Sequence, residues 1–153
     1  MTQDISATGI SVLVRASATF PDGFSVTQFA DDADPFDLPS LEIAATAMNV
    51  NGELVSWSTP QPILPTMNVI PGGEDDNNLA VLFEANRAAQ GKIMARDIIT
   101  IVATYPDGSV VTLSGGKMTA GFPGKSVASA GRLKSKAYTF AFQNISVKLT
   151  SPQ

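Results

Sequence analysis

Clustered carboxylates are the residues of this chain with the clearest potential for chemistry. One short stretch carries four of them together with two prolines: Asp31, Asp32, Asp34 and Asp37. Carboxylate oxygens on a loop are ligands that Ca²⁺ prefers. The stretch lacks both the D-x-D-x-D-G spacing and the bidentate glutamate of a calcium-binding loop. We therefore interpret it as a solvated loop, with a cation site as the alternative.

The other acidic candidates also have structural explanations. Glu74, Asp75 and Asp76 could hold a metal ion, but they precede a helical pattern, where carboxylates cap the helix and favour its dipole. Asp97 or Glu84 could serve glycoside hydrolysis, which needs two carboxylates at a fixed separation. Nothing in the sequence pairs these two residues, so we expect no such activity.

Phosphate-binding and nucleophilic motifs are incomplete or missing. Gly115-Gly116-Lys117 resembles a fragment of a phosphate-binding loop, but the G-x-x-x-x-G-K-[ST] spacing is not matched. Histidine and cysteine are absent from all 153 residues. Their absence excludes thiol catalysis, disulfides, Ser-His-Asp triads and zinc sites built on these ligands. We expect a protein that is not an enzyme and holds no metal or cofactor.

The elements that would position these residues are mostly strands. The hexapeptide Ala-Thr-aromatic-Pro-Asp-Gly occurs twice, at residues 18–23 and 103–108. Proline presets φ and glycine accepts a positive φ, so each copy predicts a hairpin corner between alternating runs. Before the first corner, the alternation places Val12, Val14 and Ala16 on one face of a half-buried strand. Asn51-Gly52 between two extended runs predicts a further hairpin.

A single helix interrupts the strands. Acidic residues crowd its first turn, Leu79 and Leu82 lie on its apolar stripe and Gly91 supplies a stop, which predicts a helix over about residues 76–90. Strand-like alternation resumes after it and continues to the end of the sequence. We predict one domain, residues 1–153, that is mainly β: an antiparallel β-sandwich or partial barrel with one flanking α-helix.

Residues 114–133 contain five glycines and almost no periodic signal, which predicts a long loop. Such a loop in a compact domain is commonly functional or ordered by a partner. Its apolar residues are hard to explain as core, and the only tryptophan lies on the Asn-Gly hairpin, where an interface role and a core role are both open. The predicted interface residues are Asn51, Gly52, Trp57, Met118, Phe122, Lys125 and Arg132.

Charge is unevenly distributed within a net charge of −4. The first 100 residues hold 13 acidic and four basic side chains, and the last 53 hold one acidic and six basic. If the two pools reach different surfaces, head-to-tail neighbours attract each other; interleaved strands are the alternative. The acidic balance argues against tight nucleic-acid binding. No leader or membrane-length apolar run is visible, which predicts synthesis as a soluble cytoplasmic protein.

The order of these pieces resembles the tail tube proteins of tailed bacteriophages, of the kind found in contractile tails. The resemblance covers nearly the whole chain. It is carried by Asp32-Ala33-Asp34-Pro35-Phe36, Asn51-Gly52-Glu53-Leu54-Val55, Pro71-Gly72-Gly73-Glu74-Asp75-Asp76-Asn77-Asn78-Leu79, Pro106-Asp107-Gly108 and Tyr138-Thr139-Phe140.

The resemblance implies a structural protein of the virion tail. Six copies would join their sheets into a ring, and rings would stack into a hollow tube that conducts DNA without binding it tightly. The Asn51-Gly52 hairpin and residues 114–133 would be the loops that reach a neighbouring ring. The implied partners are further copies of the chain and the tail sheath, baseplate and terminator proteins, with no membrane involved.

Three alternatives remain open on the sequence. The chain could be a ring subunit of a related secretion or tail-terminator apparatus. It could be a monomeric β-sandwich module that binds a glycan or a protein through Trp57 and the acidic loop. It could also be a carboxylate hydrolase.

Overall fold

Ten strands and one helix make up the part of the chain that the structure describes. The structure is a computed structural model, and it describes residues 10–29, 35–121, 131 and 133–148. The elements are β1 (Ser11–Ala16), β2 (Phe20–Val26), β3 (Phe36–Asp37), β4 (Ala44–Met48), β5 (Leu54–Ser58), β6 (Thr66–Val69), α1 (Glu74–Asn86), β7 (Ile99–Thr104), β8 (Val110–Ala120), β9 (Lys136–Ala141) and β10 (Asn144–Lys148).

Antiparallel pairing joins most strands into one sheet with the order β2-β1-β7-β8-β9-β6-β3. The register shows that β9 and β10 follow each other along one edge of the long strand β8. A single bridge between Phe29 and Val69 links the chain beyond β2 to β6. The sheet therefore curls into a partial barrel that does not close, and the prediction of a mainly β, antiparallel fold with one helix is confirmed.

The core lies on the concave side of this sheet. In β1, the alternating residues Val12, Val14 and Ala16 are fully buried, as the sequence pattern predicted. The core also receives Leu79 and Leu82 from α1. Strands β7 and β9 contribute Ile99, Ile101, Ala103, Tyr138 and Phe140, and the other core residues are Val26, Ile63, Met67, Val69, Val111, Leu113 and Phe142. One helix face and one sheet face are thus buried together.

The helix begins and ends earlier than predicted. It covers Glu74–Asn86 rather than residues 76–90, with Gly73 at the N-cap and no side-chain cap. Arg87 has an extended backbone, with φ −80° and ψ 130°, so the helix stops there and not at Gly91. The cause lies in distant contacts, because the acidic residues of the first turn and the last residue of the helix bind other parts of the chain.

The prediction of a hairpin corner at the first Pro-Asp-Gly is wrong, and the prediction at the second is confirmed. The turn between β1 and β2 lies at residues 17–19, and Pro21-Asp22-Gly23 lies inside β2, where the pairing with β1 is irregular. Gly23 has a φ of +79° there, which glycine tolerates. At Pro106-Asp107-Gly108, the Gly108 amide donates to the Tyr105 carbonyl (3.0 Å), closing the predicted hairpin.

The predicted loop over residues 114–133 begins as a strand. β8 extends to Ala120, and its last part pairs with β9. Gly116 belongs there because a Cβ would lie 2.2 Å from Cδ1 of Phe142, which packs against the glycine backbone. The glycines that suggested a loop are therefore explained in part by close packing.

Candidate functional site

Strands β4 and β5 form a two-stranded hairpin that pairs with no other strand among the described residues. We call residues 44–58 the arm. Its register runs from Ala44 opposite Ser58 to Met48 opposite Leu54. At the tip, Oδ1 of Asn49 accepts hydrogen bonds from the amides of Asn51 (3.0 Å) and Glu53 (2.9 Å). The predicted Asn-Gly hairpin is confirmed, and the hydrogen bonds from these two backbone amides to the Asn49 side chain stabilise its tip.

The arm exposes apolar side chains on both faces. Val55 and Trp57 lie on one face, with Trp57 50% exposed, and Met48 and Leu54 lie on the other, with Leu54 68% exposed. Val50 at the tip is fully exposed. A two-stranded hairpin is marginally stable alone in water, and contiguous exposed apolar surface marks interaction sites. The arm therefore has the properties of a segment that is buried by a partner.

A groove lies between the end of α1 and the last part of β8. Its cavity volume is about 340 Å³, and a pocket of about 70 Å³ adjoins it, since Asn86 and Met118 line both. We call the two together the helix-end groove. Its lining comprises Phe83, Asn86, Arg87, Ala88, Met94, Arg96, Asp97, Lys117, Met118 and Thr119.

Basic side chains surround this groove. Arg87 is already paired with Glu84, with 2.9 Å between Nη2 and Oε1. Arg96 and Lys117 are exposed and form no ion pair with any residue that the structure describes. The groove thus combines half-buried apolar side chains with two cations that pair with no carboxylate of the described residues, and the carboxylate of Asp97 lies in the same lining.

Asp97 builds the wall of the groove. Its Oδ1 accepts hydrogen bonds from the amides of Ala18 (2.7 Å) and Thr19 (2.9 Å), and its Oδ2 accepts from Nδ2 of Asn86 (2.9 Å). The Thr19 hydroxyl also donates to Oδ2. Burial by itself would raise the pKa of Asp97, but these hydrogen bonds outweigh it and hold the pKa below its usual value.

Asp75 and Asp76 fasten the start of α1 to the sheet. Oδ2 of Asp75 accepts hydrogen bonds from the amides of Thr27 and Gln28, each at 2.8 Å. Asp76 lies 3.2 Å from Nζ of Lys136 and accepts a hydrogen bond from the Tyr138 hydroxyl (2.9 Å). Burial and this carboxylate raise the pKa of Tyr138.

The acidic residues proposed for catalysis are engaged separately. Glu84 is exposed and binds Arg87 and Lys92, which lower its pKa to about 2, with the Arg87 hydrogen bond as the main cause. Asp97 is buried and holds the turn between β1 and β2. Within the described ranges, no three carboxylates gather as a metal site would require.

A second cleft lies at the open end of the sheet and has a volume of about 510 Å³. We call it the barrel-end cleft. Apolar side chains dominate it, and none of the described residues in its lining is charged: Ile10, Ser11, Thr27, Phe29, Pro35, Phe36 and Tyr105. Burial raises the pKa of Tyr105, with a smaller contribution from Asp107.

The predicted interface residues divide between these features. Asn51, Gly52 and Trp57 lie on the arm, and Met118 lines the helix-end groove. Phe122, Lys125 and Arg132 lie outside the described residues, as do Asp31, Asp32 and Asp34 of the acidic loop, whereas Asp37 is exposed in β3. The interface roles of the seven predicted interface residues stay predictions.

Sequence reasoning missed Val50, Leu54 and Arg96. The available signal was an arm with Glu53 as its single charged residue, which is an unusual composition for a solvated hairpin. Nothing local marks Arg96, because the groove forms only when α1 and β8 meet.

The convex face of the sheet differs from both candidate binding features. On β1, β7, β10 and the first half of β8 it carries mostly small polar side chains, and its charged residues are Arg15 and Lys148. The hydroxyl residues on this face are Ser11, Thr100, Thr104, Thr112, Ser114 and Ser146.

Comparison of the sequence with protein families gives a match over almost the whole chain. The model of the family described as Tail fiber protein gp32 matches residues 3–146. The chain belongs to this family. It is therefore a phage-tail-related protein, which confirms the general sense of the resemblance, although this family description does not specify a tail tube. A search of curated proteins finds no match to this member of the gp32 family.

Solved structures share the fold of this gp32 family member. An anti-feeding prophage tube-terminating cap is 13% identical with a TM-score of 0.58, covering 98% of this chain and 94% of that one. The sheath/tube terminator of an extracellular contractile injection system is 14% identical with a TM-score of 0.58, covering 97% and 99%. A chain of the six-fold symmetrised anti-feeding prophage baseplate is 10% identical with a TM-score of 0.58, covering 97% of both chains.

Across the described ranges, no helix has the length and apolar character that crossing a membrane requires.

Proposed function

We propose that this protein is a non-catalytic structural subunit of a phage tail that joins copies of itself into a closed ring. The arm carries this proposal, because it presents Leu54, Trp57 and Val50 to solvent and pairs with no other described strand. Each copy therefore has a projecting apolar element that gains stability when another molecule covers it. Repeating one such heterologous contact closes a ring when the rotation fits.

Open sheet edges support the same proposal. Among the described strands, β2 pairs only with β1, and β10 pairs only with β8. Each leaves an outer row of backbone donors and acceptors without a strand partner. Exposed edges of this kind invite pairing with another chain. Neighbouring copies that meet at these edges would continue the sheet around the ring.

The finer proposal is a ring of six copies that stacks into a tail tube. The resemblance to tail tube proteins suggests this arrangement, and one protein with the same fold belongs to a six-fold symmetrised baseplate. DNA would pass through the tube. The convex sheet face suits passage without tight binding, because its described part on β1, β7, β10 and the first half of β8 offers small hydroxyl groups and two cations, Arg15 and Lys148. Sheath, baseplate and terminator proteins would be its partners in the virion tail.

A tube terminator is the second candidate function. Two chains with this fold come from structures described as a tube-terminating cap and a sheath/tube terminator. A terminator would form single rings, whereas a tube subunit would stack rings without a fixed limit. Measuring the length of the particles formed by the purified chain separates the two functions.

Sedimentation velocity over a range of concentrations tests the role of the arm in assembly. We expect a species larger than the monomer for the wild-type chain and an association at least about tenfold weaker for the double variant Leu54→Ser, Trp57→Ser, since interface aromatics carry a large share of binding energy. Val81→Ser is the matched control, because Val81 is 53% exposed on α1. A wild-type chain that sediments as a monomer at every concentration would contradict the proposal.

A further inference from the structure

We infer that the arm of one copy docks tip-first into the helix-end groove of a neighbouring copy. This inference rests on the proposed self-assembly and adds the surface that receives the arm. It joins two features that the described structure leaves without a partner: an apolar arm tip that carries one acidic residue, and an apolar groove with two unpaired cations.

Apolar surfaces match on the two sides. The arm tip presents Val50, fully exposed, and Leu54, 68% exposed. The groove presents half-buried Phe83, Met94 and Met118. A volume of about 340 Å³ falls within the range of ~300–1,000 Å³ that is typical of ligand clefts. Methionine side chains adapt to the shape of an inserted group, so the groove suits branched aliphatic side chains.

Charge gives the docking its direction. Glu53 is the single charged residue of the arm, it is exposed beside the tip, and it forms no ion pair with another residue in the described ranges. Arg96 and Lys117 are exposed at the groove and are equally unpaired there. Opposite charges at the rim of an apolar contact fix register and exclude the reversed orientation.

Hydrogen bonds define the backbone conformation at one wall of the groove. Arg96 has a φ of +54°, a left-handed backbone conformation that is unfavourable for residues other than glycine. Its neighbours hold it there, because the amide of Ala95 donates to the Ala85 carbonyl (2.9 Å) and the amide of Asp97 donates to Oδ1 of Asn86 (2.9 Å). A preformed groove avoids part of the entropic cost of binding.

The barrel-end cleft is the competing receiver for the arm. It is larger, at about 510 Å³, and apolar, but none of the described residues that line it carries a charge that could meet Glu53. Charge complementarity therefore favours the helix-end groove over the barrel-end cleft.

Engineered disulfides test the contact directly, because the chain has no cysteine of its own. A Val50→Cys variant is mixed with a Met118→Cys variant and oxidised under assembly conditions. We expect a covalent dimer on a non-reducing gel, and little dimer when the partner variant is Phe36→Cys, in the barrel-end cleft, or Val81→Cys, on the exposed side of α1. Cross-linking to Phe36→Cys in place of Met118→Cys would overturn the inference.

Charge reversal tests the direction of docking. We expect Glu53→Lys to weaken association at least about tenfold, and the combination with Arg96→Glu and Lys117→Glu to restore most of it. Glu42→Lys, before the base of the arm, is the matched control and should leave association unchanged.

The outcomes separate the inference from the proposed function. Particles that form normally without a Val50–Met118 cross-link, and without sensitivity to Glu53→Lys, would refute docking in this groove while leaving ring assembly intact. A chain that forms no oligomer at all would refute both.

Discussion

At the scale of single residues, Asp97 shows how one buried carboxylate organises distant parts of the chain. It binds the amides of Ala18 and Thr19 in the first hairpin and the side chain of Asn86 at the end of α1. These contacts explain two departures from expectation. The β1–β2 turn closes over the carboxylate instead of at Pro21-Asp22-Gly23, and the helix ends where Asn86 turns toward Asp97.

Replacing Asp97 by asparagine should destabilise the fold by about 2–3 kcal/mol at neutral pH, because an amide presents a donor to groups that are themselves donors. The folded state lowers the pKa of Asp97, so its contribution is complete above the unfolded pKa of about 3.9. It is lost as the pH falls through the folded pKa. The wild-type advantage over Asp97→Asn should therefore shrink in acid.

Urea unfolding of both chains at neutral and at acidic pH measures this difference in the free energy of unfolding. Asp22→Asn, an exposed carboxylate in the same hairpin, is the control and should change little. Equal stability of Asp97→Asn and the wild type at neutral pH would show that the hydrogen bonds of Asp97 contribute nothing.

At the scale of elements, the arm and the sheet have different sources of stability. The strands of the sheet share the core, whereas the arm is held by pairing between β4 and β5 and by Asn49 at its tip. Gly52 has a φ of +82° with open space around it. A side chain placed there strains the tip backbone without meeting any neighbouring atom.

Gly52→Val should therefore weaken self-association several-fold and leave the thermal unfolding of the sheet almost unchanged. A β-branched residue at positive φ costs roughly 1–3 kcal/mol, and that strain acts on the arm tip. Gly91→Val is the matched control, since Gly91 also has a positive φ, +73°, with open space around it, and it lies outside the arm. Sedimentation and circular dichroism separate the two effects, and unaltered association of Gly52→Val would contradict a role for the tip.

Local pattern was sufficient for part of the fold. Alternation predicted β1 and the aromatic strand β9, and Asn51-Gly52 and Pro106-Asp107-Gly108 predicted their turns, because these features depend on residues close in sequence. The first turn, the helix end and the helix-end groove depend on contacts such as Ala18 to Asp97, which are 79 positions apart. No local pattern carries that information. The arm was predicted as a hairpin, but only the structure shows that its apolar side chains are exposed to solvent.

At the scale of the whole molecule, the sheet order arranges the two charge pools. β8 and β9, from the basic last third, lie in the middle of the sheet, and β1, β2, β3 and β6, from the acidic part, lie on both sides, while β10 pairs only with β8. The basic strands therefore form one group that lies between strands from the acidic part. Specific pairs such as Glu53 with Arg96 and Lys117 are therefore a better basis for recognition between copies than a single dipole across the molecule.

Electron microscopy of the purified full-length chain tests the central claim, that copies of this protein complete one another, most directly. We expect closed particles with cyclic symmetry, in which density for the arm of each copy reaches the helix-end groove of the next, and stacked particles if the protein is a tube subunit. Monodisperse single molecules at the highest attainable concentration, with the arm bound to no neighbour, would contradict the account.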